Sequence, residues 1–420
     1  MKEEYINKWK QAHNMADFLD IHDLFSDAEY SEMYEKYKVL LDATEEDKKK
    51  LIHGFVEESI KNIVDDKQLS TGIAFVCGND MYSFSYAWGE DGNGNLIDET
   101  TLFDIASITK LFLSIVYMKL WEMKKISLDW TIAEISSRFQ NISKLKLKDL
   151  LSYTVSLTTS KRLDDCISAE EALSILGEIQ GEKSDKQIYS DMPSMVLAEL
   201  LVDITGKNFG QWIEDLFIKP LNLKNTHWDF DVLIKHNCVN YDEEHLIVQN
   251  EVKTLYNPCG KVHDPKARLI SETTNKLCGN AGLFISYEDM SKIAQALVRG
   301  KIIGIETWKK MVIGAGWDKC SDRETYGYIC YRKYKNKKQS EVHFPMSGYA
   351  LAMTGYTGTY LMLDCINKTF VFIGGNRLRN RIAKVVGENT IADLPYIYTK
   401  DFVYERDLLK DIGSEITLFL

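Results

Sequence analysis

Apolar residues return at roughly helical spacing over residues 45–65, where Leu51, Phe55, Ile60 and Ile63 mark one face and predict a helix. Two strand-like runs follow, Thr71-Gly72-Ile73-Ala74-Phe75-Val76 and Met81-Tyr82-Ser83-Phe84-Ser85-Tyr86-Ala87-Trp88, and the Gly78-Asn79-Asp80 turn between them predicts a hairpin. From about residue 107 to 299 the pattern is mostly helical with loops, including apolar stretches at 111–121 and 195–205. Strand signals return at 349–356, 358–364 and 369–374, joined by short turns that favour antiparallel pairing. Residues 381–392 read as the last helix, and residues 1–44, polar and aromatic-rich, as an N-terminal extension open to a protein partner.

Strands near both ends with helices between them predict a mixed α/β fold. An antiparallel sheet flanked by helices would draw on about residues 45–115 and 285–420, joined to an all-helical lobe at about 116–284. Residues 45–420 then make one body, with the active site in the cleft between the lobes.

Composition narrows the class. The 420 residues are too many for a single small core, and the 45% hydrophobic and 27% charged fractions are ordinary for a soluble globular protein. The net charge of −11, with both signs interspersed, argues against a nucleic-acid partner. Apolar runs such as 111–116 fall far short of the ~20 residues that a membrane helix needs. The N-terminus is charged from Lys2 and does not read as a secretory signal, so a cytoplasmic location is expected. Eight scattered cysteines without C-x-x-C spacing read as free thiols, and the eight histidines form no H-E-x-x-H. Gly92-Asn93-Gly94 is a loop and no phosphate-binding fingerprint, so no metal or other cofactor is expected.

The chemistry centres on Ser107-Ile108-Thr109-Lys110, at the start of the apolar stretch. On a helix, residues three apart share a face, which puts the serine hydroxyl beside the lysine amine at an end that favours negative charge. Burial would favour the neutral amine and make it a usable base. Read alone, the tetrapeptide also fits a cap serine followed by a solvated lysine. Tyr189-Ser190-Asp191, ahead of the second apolar stretch, reads in isolation as a loop tyrosine with an aspartate cap, and beside the lysine as a proton relay. Met353-Thr354-Gly355-Tyr356-Thr357-Gly358-Thr359 has the small residues that would let a substrate backbone lie along a strand edge, or a tight turn after a strand.

Together, and in this order, the three elements resemble the serine β-lactamase and penicillin-binding-protein superfamily, in its class C and esterase-like branch, which carries S-x-x-K, Y-x-N and K/H-T-G. Further segments of the chain are similar to that branch: Lys125-Ile126-Ser127-Leu128-Asp129, residues 147–157, Pro220-Leu221-Asn222-Leu223-Lys224-Asn225-Thr226, Gly260-Lys261-Val262-His263-Asp264, Gly279-Asn280-Ala281-Gly282-Leu283-Phe284 and Asn376-Arg377. The resemblance spans roughly residues 50–400. It implies Ser107 as nucleophile, with Lys110 and Tyr189 handling the proton. It also implies an oxyanion hole from the backbone N–H groups of Ser107 and Tyr356, and substrate contacts from Asp191, Met353, Thr354 and Gly355.

The sequence departs from the pattern at Met353, where relatives carry Lys or His, and at Asp191, where they carry Asn. Tyr153 and Ser156 replace a histidine and a glycine, as structural changes. The first two departures make the cleft less favourable to anions, which disfavours carboxylate-bearing β-lactams and D-Ala-D-Ala peptides. A serine hydrolase acting on a small neutral ester or amide, by hydrolysis or acyl transfer, is therefore expected. The alternatives are a cytoplasmic β-lactamase or D-amino-acid peptidase, and a non-catalytic member that binds a ligand or partner. His263 and Asp264 are read as structural, and Arg377 as a candidate for the missing positive charge.

Overall fold

A short helix, α1 (Asp27–Tyr37), precedes the expected one, α2 (Glu45–Lys61), which Thr44 opens by accepting the Asp47 N–H at 3.2 Å. These belong to a computed structural model that describes residues 27–66, 69–239, 242–248, 251–257, 260–314, 326–333, 340–376, 381–386 and 400–420. The expected hairpin is present as β1 (Gly72–Asn79) and β2 (Ser83–Gly89), antiparallel with Gly78 opposite Ser83. Then come β3 (Leu102–Asp104), α3 (Ile108–Glu122), α4 (Met192–Thr205), β4 (Thr226–His227), α5 (Pro265–Thr274), β5 (Phe284–Ser286) and α6 (Tyr287–Val298). The chain ends with β6 (Tyr331–Arg332), β7 (Leu351–Thr354), β8 (Tyr360–Asp364), β9 (Thr369–Gly374) and α7 (Lys400–Thr417).

Strands from both ends of the chain form one antiparallel sheet of six, in the order β6-β7-β8-β9-β1-β2. Because successive side chains point to opposite faces, its central strands feed two cores. Along β9, Phe370 and Phe372 join the larger core under α3 and α6, while Val371 and Ile373 join a smaller one under α2 and α7. Both faces are covered, which is why β9 is buried at every position instead of alternating. Gly413 lets α7 lie close against the sheet: a Cβ there would sit 2.8 Å from Val371 Cγ1 and 3.0 Å from Phe75 Cε2. The expected mixed α/β architecture is the one observed. The part expected to be all-helical also carries an antiparallel strand pair, Val155–Thr158 with Gln180–Lys183, which a helix at Ala169–Gly177 connects.

The end of the chain differs from expectation. Residues 381–386 form a strand, parallel to Asp242–Val248, instead of starting a helix. Ile382, Val385 and Val386 are β-branched, and pairing with a distant strand overrides the local pattern. The rest of that expected helix lies outside the described residues, as does Arg377.

The described part of the extension, from Asp27 on, is tied into the body. Tyr30, Met33 and Tyr37 of α1 are buried in the smaller core, and the Tyr37 hydroxyl donates to Glu415 of α7 at 2.9 Å. Glu415 also lies 3.5 Å from Nε2 of His343, whose Nδ1 is 2.9 Å from Asp411. Burial opposes a charge on His343, but the hydrogen bonds and charges of these two carboxylates prevail and hold its pKa above the ordinary histidine value. A raised histidine contributes stability that is complete below its unfolded pKa, near ~6.5, and is lost as pH rises through the folded value. The melting temperature should therefore decline from slightly acid to alkaline pH, and His343→Gln should flatten that decline in a thermal-melt series.

Candidate active site

The helix α3 is apolar all round, and every side chain from Ile108 to Met118 is buried, Lys110 included. A helix sunk this deep carries its first turn into the protein interior. Ser107 stands at the helix N-cap with no side-chain capping bond, half-buried. The two ordinary alternatives, a capping serine and a solvated lysine, therefore do not describe this site.

The approach to Ser107 is strained. Ala106 has φ of 45°, a left-handed value that costs an alanine on the order of 1 kcal/mol. Its neighbours hold it there. Asp104, at the end of β3, accepts the Ala106 N–H at 2.8 Å on one carboxylate oxygen and the His263 N–H at 2.9 Å on the other. The Ile105 N–H donates to the Leu283 carbonyl at 3.1 Å. From the sheet side, the Thr357 hydroxyl donates to the Asp104 carbonyl at 2.6 Å, and the Thr359 hydroxyl to the Ile105 carbonyl at 3.3 Å. The turn holding Gly355 and Tyr356 thus docks on the segment that leads into Ser107. Only glycine fits at 355, since a Cβ there would lie 1.9 Å from Thr359 Oγ1 and 2.7 Å from the Ile105 carbonyl.

Lys110 is the hub. Its Nζ lies 2.5 Å from Ser107 Oγ, 3.2 Å from the Tyr189 hydroxyl and 2.8 Å from Asp191 Oδ1. An ammonium has three N–H donors, and these three acceptors use them all. Asp191 Oδ2 in turn lies 2.8 Å from Nζ of Lys266, which is itself 2.7 Å from Asp264 and 3.4 Å from Asp164. Lys266 is only 7% exposed. The result is a continuous polar chain, Ser107–Lys110–Asp191–Lys266–Asp264, threaded through apolar surroundings.

Electrostatics corrects the expected neutral lysine. Burial alone pulls the Lys110 ammonium down, as expected, but the charge of Asp191, with Tyr189 and the hydrogen bonds to both, more than offsets it. Its pKa is held above the usual lysine range. Burial likewise opposes ionisation of Asp191, and the two lysines hold its carboxyl well below the usual range. Lys266 is raised, because three carboxylates outweigh its burial.

The remaining expected positions divide. Tyr189 is 39% exposed and stacks on Tyr326 with 5.8 Å between ring centroids, while Tyr153 packs on both at 5.2 Å. Tyr153 is fully buried at φ of 59°, and its hydroxyl finds no hydrogen-bond partner among the described residues. Met353 is packed into the larger core with 1% exposure, and Thr354, paired with Tyr360, is half-buried at the strand end. Asp191, expected to meet substrate, has both oxygens on lysines. Asp264 caps α5 by accepting the Ala267 N–H at 2.9 Å and pairs with Lys266, and the His263 ring lies 5.4 Å from that of Tyr356. Sequence reasoning missed Lys266. A lysine two residues after Asp264 carries no local signal that it reaches Asp191. Among the described residues no group of three His, Cys, Asp or Glu could hold a metal ion.

A serine and a lysine one helical turn apart, with a tyrosine on the lysine, at the meeting of an antiparallel sheet and a helical lobe, place the protein in a recognisable class. The Beta-lactamase family model matches residues 56–388, and the chain belongs to that family. A Salmonella typhi protein named for D-alanyl-D-alanine carboxypeptidase activity is 24% identical over 315 residues, 67% of this chain and 71% of its own. The solved structure of EstCE1, a hydrolase with promiscuous acyltransferase activity, overlays with a TM-score of 0.62 at 17% identity, covering 86% of this chain and 99% of that one. D-amino acid amidase from Ochrobactrum anthropi overlays with 0.58 at 15%, covering 85% and 98%. At these identities the structural likeness is one of fold.

The polar chain makes a stability prediction. Asp191→Ala would take the carboxylate from the buried Lys110 ammonium, while Lys266 keeps Asp264 and Asp164, and removing one partner of a buried pair costs about 3 kcal/mol. Thermal or urea unfolding should show that loss, and Asp191→Asn, whose amide oxygen can still accept from one of the lysines, should lose less.

Proposed function

We propose that the protein is a serine hydrolase that works through an acyl-enzyme on Ser107 and takes a small neutral ester or amide. The observation that carries this reading is the contact of Lys110 Nζ with both Ser107 Oγ at 2.5 Å and the Tyr189 hydroxyl at 3.2 Å. Family membership supports it, as do relatives named for hydrolase, acyltransferase and amidase activity.

In this mechanism the reacting form carries Tyr189 as its phenolate beside the Lys110 ammonium. Ser107 Oγ bonds to the acyl carbon as its proton passes to the phenolate oxygen, and Tyr189 returns that proton to the leaving group as the bond from the leaving group to the acyl carbon breaks. Lys110, held as an ammonium by Asp191, acts as a fixed cation in contact with both oxygens and stabilises the negative charge that moves between them. The backbone N–H groups of Ser107 and Tyr356 form the oxyanion hole, a role supported by the docking of the 355–359 turn on Asp104 and Ile105. Thr354 and Gly355 line the substrate strand. Water or a second acceptor then releases the acyl group.

The preference for a neutral substrate rests on charge. Met353 is buried where the K/H-T-G pattern has Lys or His, and the two ammonium groups described beside the site, Lys110 and Lys266, are both bound to Asp191. A substrate carboxylate would have to compete with Asp191 for them. A cytoplasmic location is part of the proposal. Its support is that the six described cysteines are free thiols, four of them with pKa values pushed up to about 12 or beyond by burial. No described helix is long and apolar enough to cross a membrane. The division into a 1–44 extension and a two-lobed body also stands as part of this reading.

Short-chain p-nitrophenyl esters, assayed with the purified protein beside Ser107→Ala, test the reading. Turnover should fall at least ~10³-fold in the variant, with an acyl adduct on the wild-type protein by intact mass. Equal trace rates and no adduct would favour a non-catalytic binding protein. Nitrocefin should turn over far more slowly than the esters; a rate typical of a dedicated β-lactamase would refute the neutral-substrate preference.

A further inference from the structure

Asp191 is shared between two cations at the same distance. Its Oδ1 lies 2.8 Å from Lys110 and its Oδ2 lies 2.8 Å from Lys266. Lys266 is fixed on its far side by Asp264 at 2.7 Å and Asp164 at 3.4 Å, at the start of α5 and on the turn Leu163–Asp165. Arg162 lies 3.5 Å from Asp164. Tyr153 and Tyr189 face Asp191 and Lys110, and the Cys278 thiol lies in the field of Asp264 and Lys266.

We infer that Lys266 is a positioning residue for Ser107: by taking one oxygen of Asp191 it limits that carboxylate's hold on Lys110 and keeps the ammonium on the Ser107 and Tyr189 oxygens. The inference rests on the serine-hydrolase reading and extends it to a residue that touches no reacting atom. The physical argument is one of charge. Asp191 and Lys266 sum to zero, so the nucleophile sees Lys110 as a cation only partly spent on its partner. Without Lys266 a full negative charge remains within one residue's reach of Ser107 Oγ, where negative charge must develop during attack. Attraction between Asp191 and Lys110 would also draw the ammonium away from both oxygens it serves. At an effective dielectric of about 20, a unit charge gained or lost in so short a polar chain moves an ionisation at its other end by about one pH unit.

Charge bookkeeping across four variants of the full chain tests this in a way that a purely structural role for Lys266 cannot imitate. The readouts are the rate of Ser107 labelling by a fluorophosphonate probe from pH 5 to 10, and kcat and KM on p-nitrophenyl acetate. Lys266→Met leaves the pair at −1: the rising limb should move up by about one pH unit, and labelling at pH 7 should fall about tenfold, with the loss in kcat and not KM. Asp191→Asn leaves it at +1 and should move the limb down. The double variant restores zero and should return the limb to near its wild-type position. Lys266→Arg keeps the charge and should stay within about threefold of wild type. If Lys266→Met does not fold by thermal melt, Lys266→Gln takes its place with the same expected shift. Labelled protein whose limb is the same in wild type and Lys266→Met (or Gln) overturns the inference alone. A wild type that does not label at Ser107 overturns the serine-hydrolase reading and the inference with it.

Discussion

A lysine ammonium without exposed surface has to be satisfied by the protein, since an uncompensated buried charge costs more than a fold of this size can spare. Lys110 is such a group, and what surrounds Ser107 follows from the way it is satisfied. Its three donors select three acceptors: the serine one turn back, a tyrosine and an aspartate from the loop before α4. That loop must then come close to the first turn of α3. Because the aspartate is itself poorly solvated, it requires a second cation, which brings in Lys266 and, behind it, Asp264 and Asp164.

The backbone around the site is under a related constraint. Ala106 is held in a left-handed conformation by contacts from β3, from the loop ahead of β5 and from the turn after β7. These come from three separate stretches of chain, so the strain is sustained only while the sheet and the helical part stay together. The two-faced sheet supplies the rigidity. Its alternating side chains lock α3 and α6 on one side and α2 and α7 on the other. The clasp of Tyr37, His343, Asp411 and Glu415 then ties the first and last described helices to each other.

Asp191 stands where the Y-x-N pattern has an amide, and this bears directly on the proposed mechanism. An amide would leave Lys110 free to shed its proton into the buried surroundings. A carboxylate favours the charged lysine, and in the proposed mechanism the lysine then serves as a fixed positive charge while the tyrosine moves protons. The same carboxylate occupies the cations that a substrate carboxylate would otherwise meet. One substitution therefore bears on both the mechanism and the substrate, and the two consequences arise from the same pair of 2.8 Å contacts.

Much of the fold and the core of the site was legible locally. The 3.6-residue period put Ser107 and Lys110 on one face of an apolar helix, and the turn chemistry at 78–80 set the β1–β2 hairpin. Strand signals at both ends implied a sheet closed by distant segments, because strands of that kind must pair with something. What sequence could not supply depends on contacts through space. The Thr357 hydroxyl meets the Asp104 carbonyl across 253 residues of chain, and no local pattern encodes that meeting. Residues 381–386 became a strand because a partner strand was available beside them. Whether Lys110 is neutral or charged depends on Asp191, and the state of Asp191 on Lys110 and Lys266 together. A residue's chemistry can be read from its type and its neighbours along the chain; its charge state in a buried site is set by neighbours that only the tertiary structure brings within 3 Å.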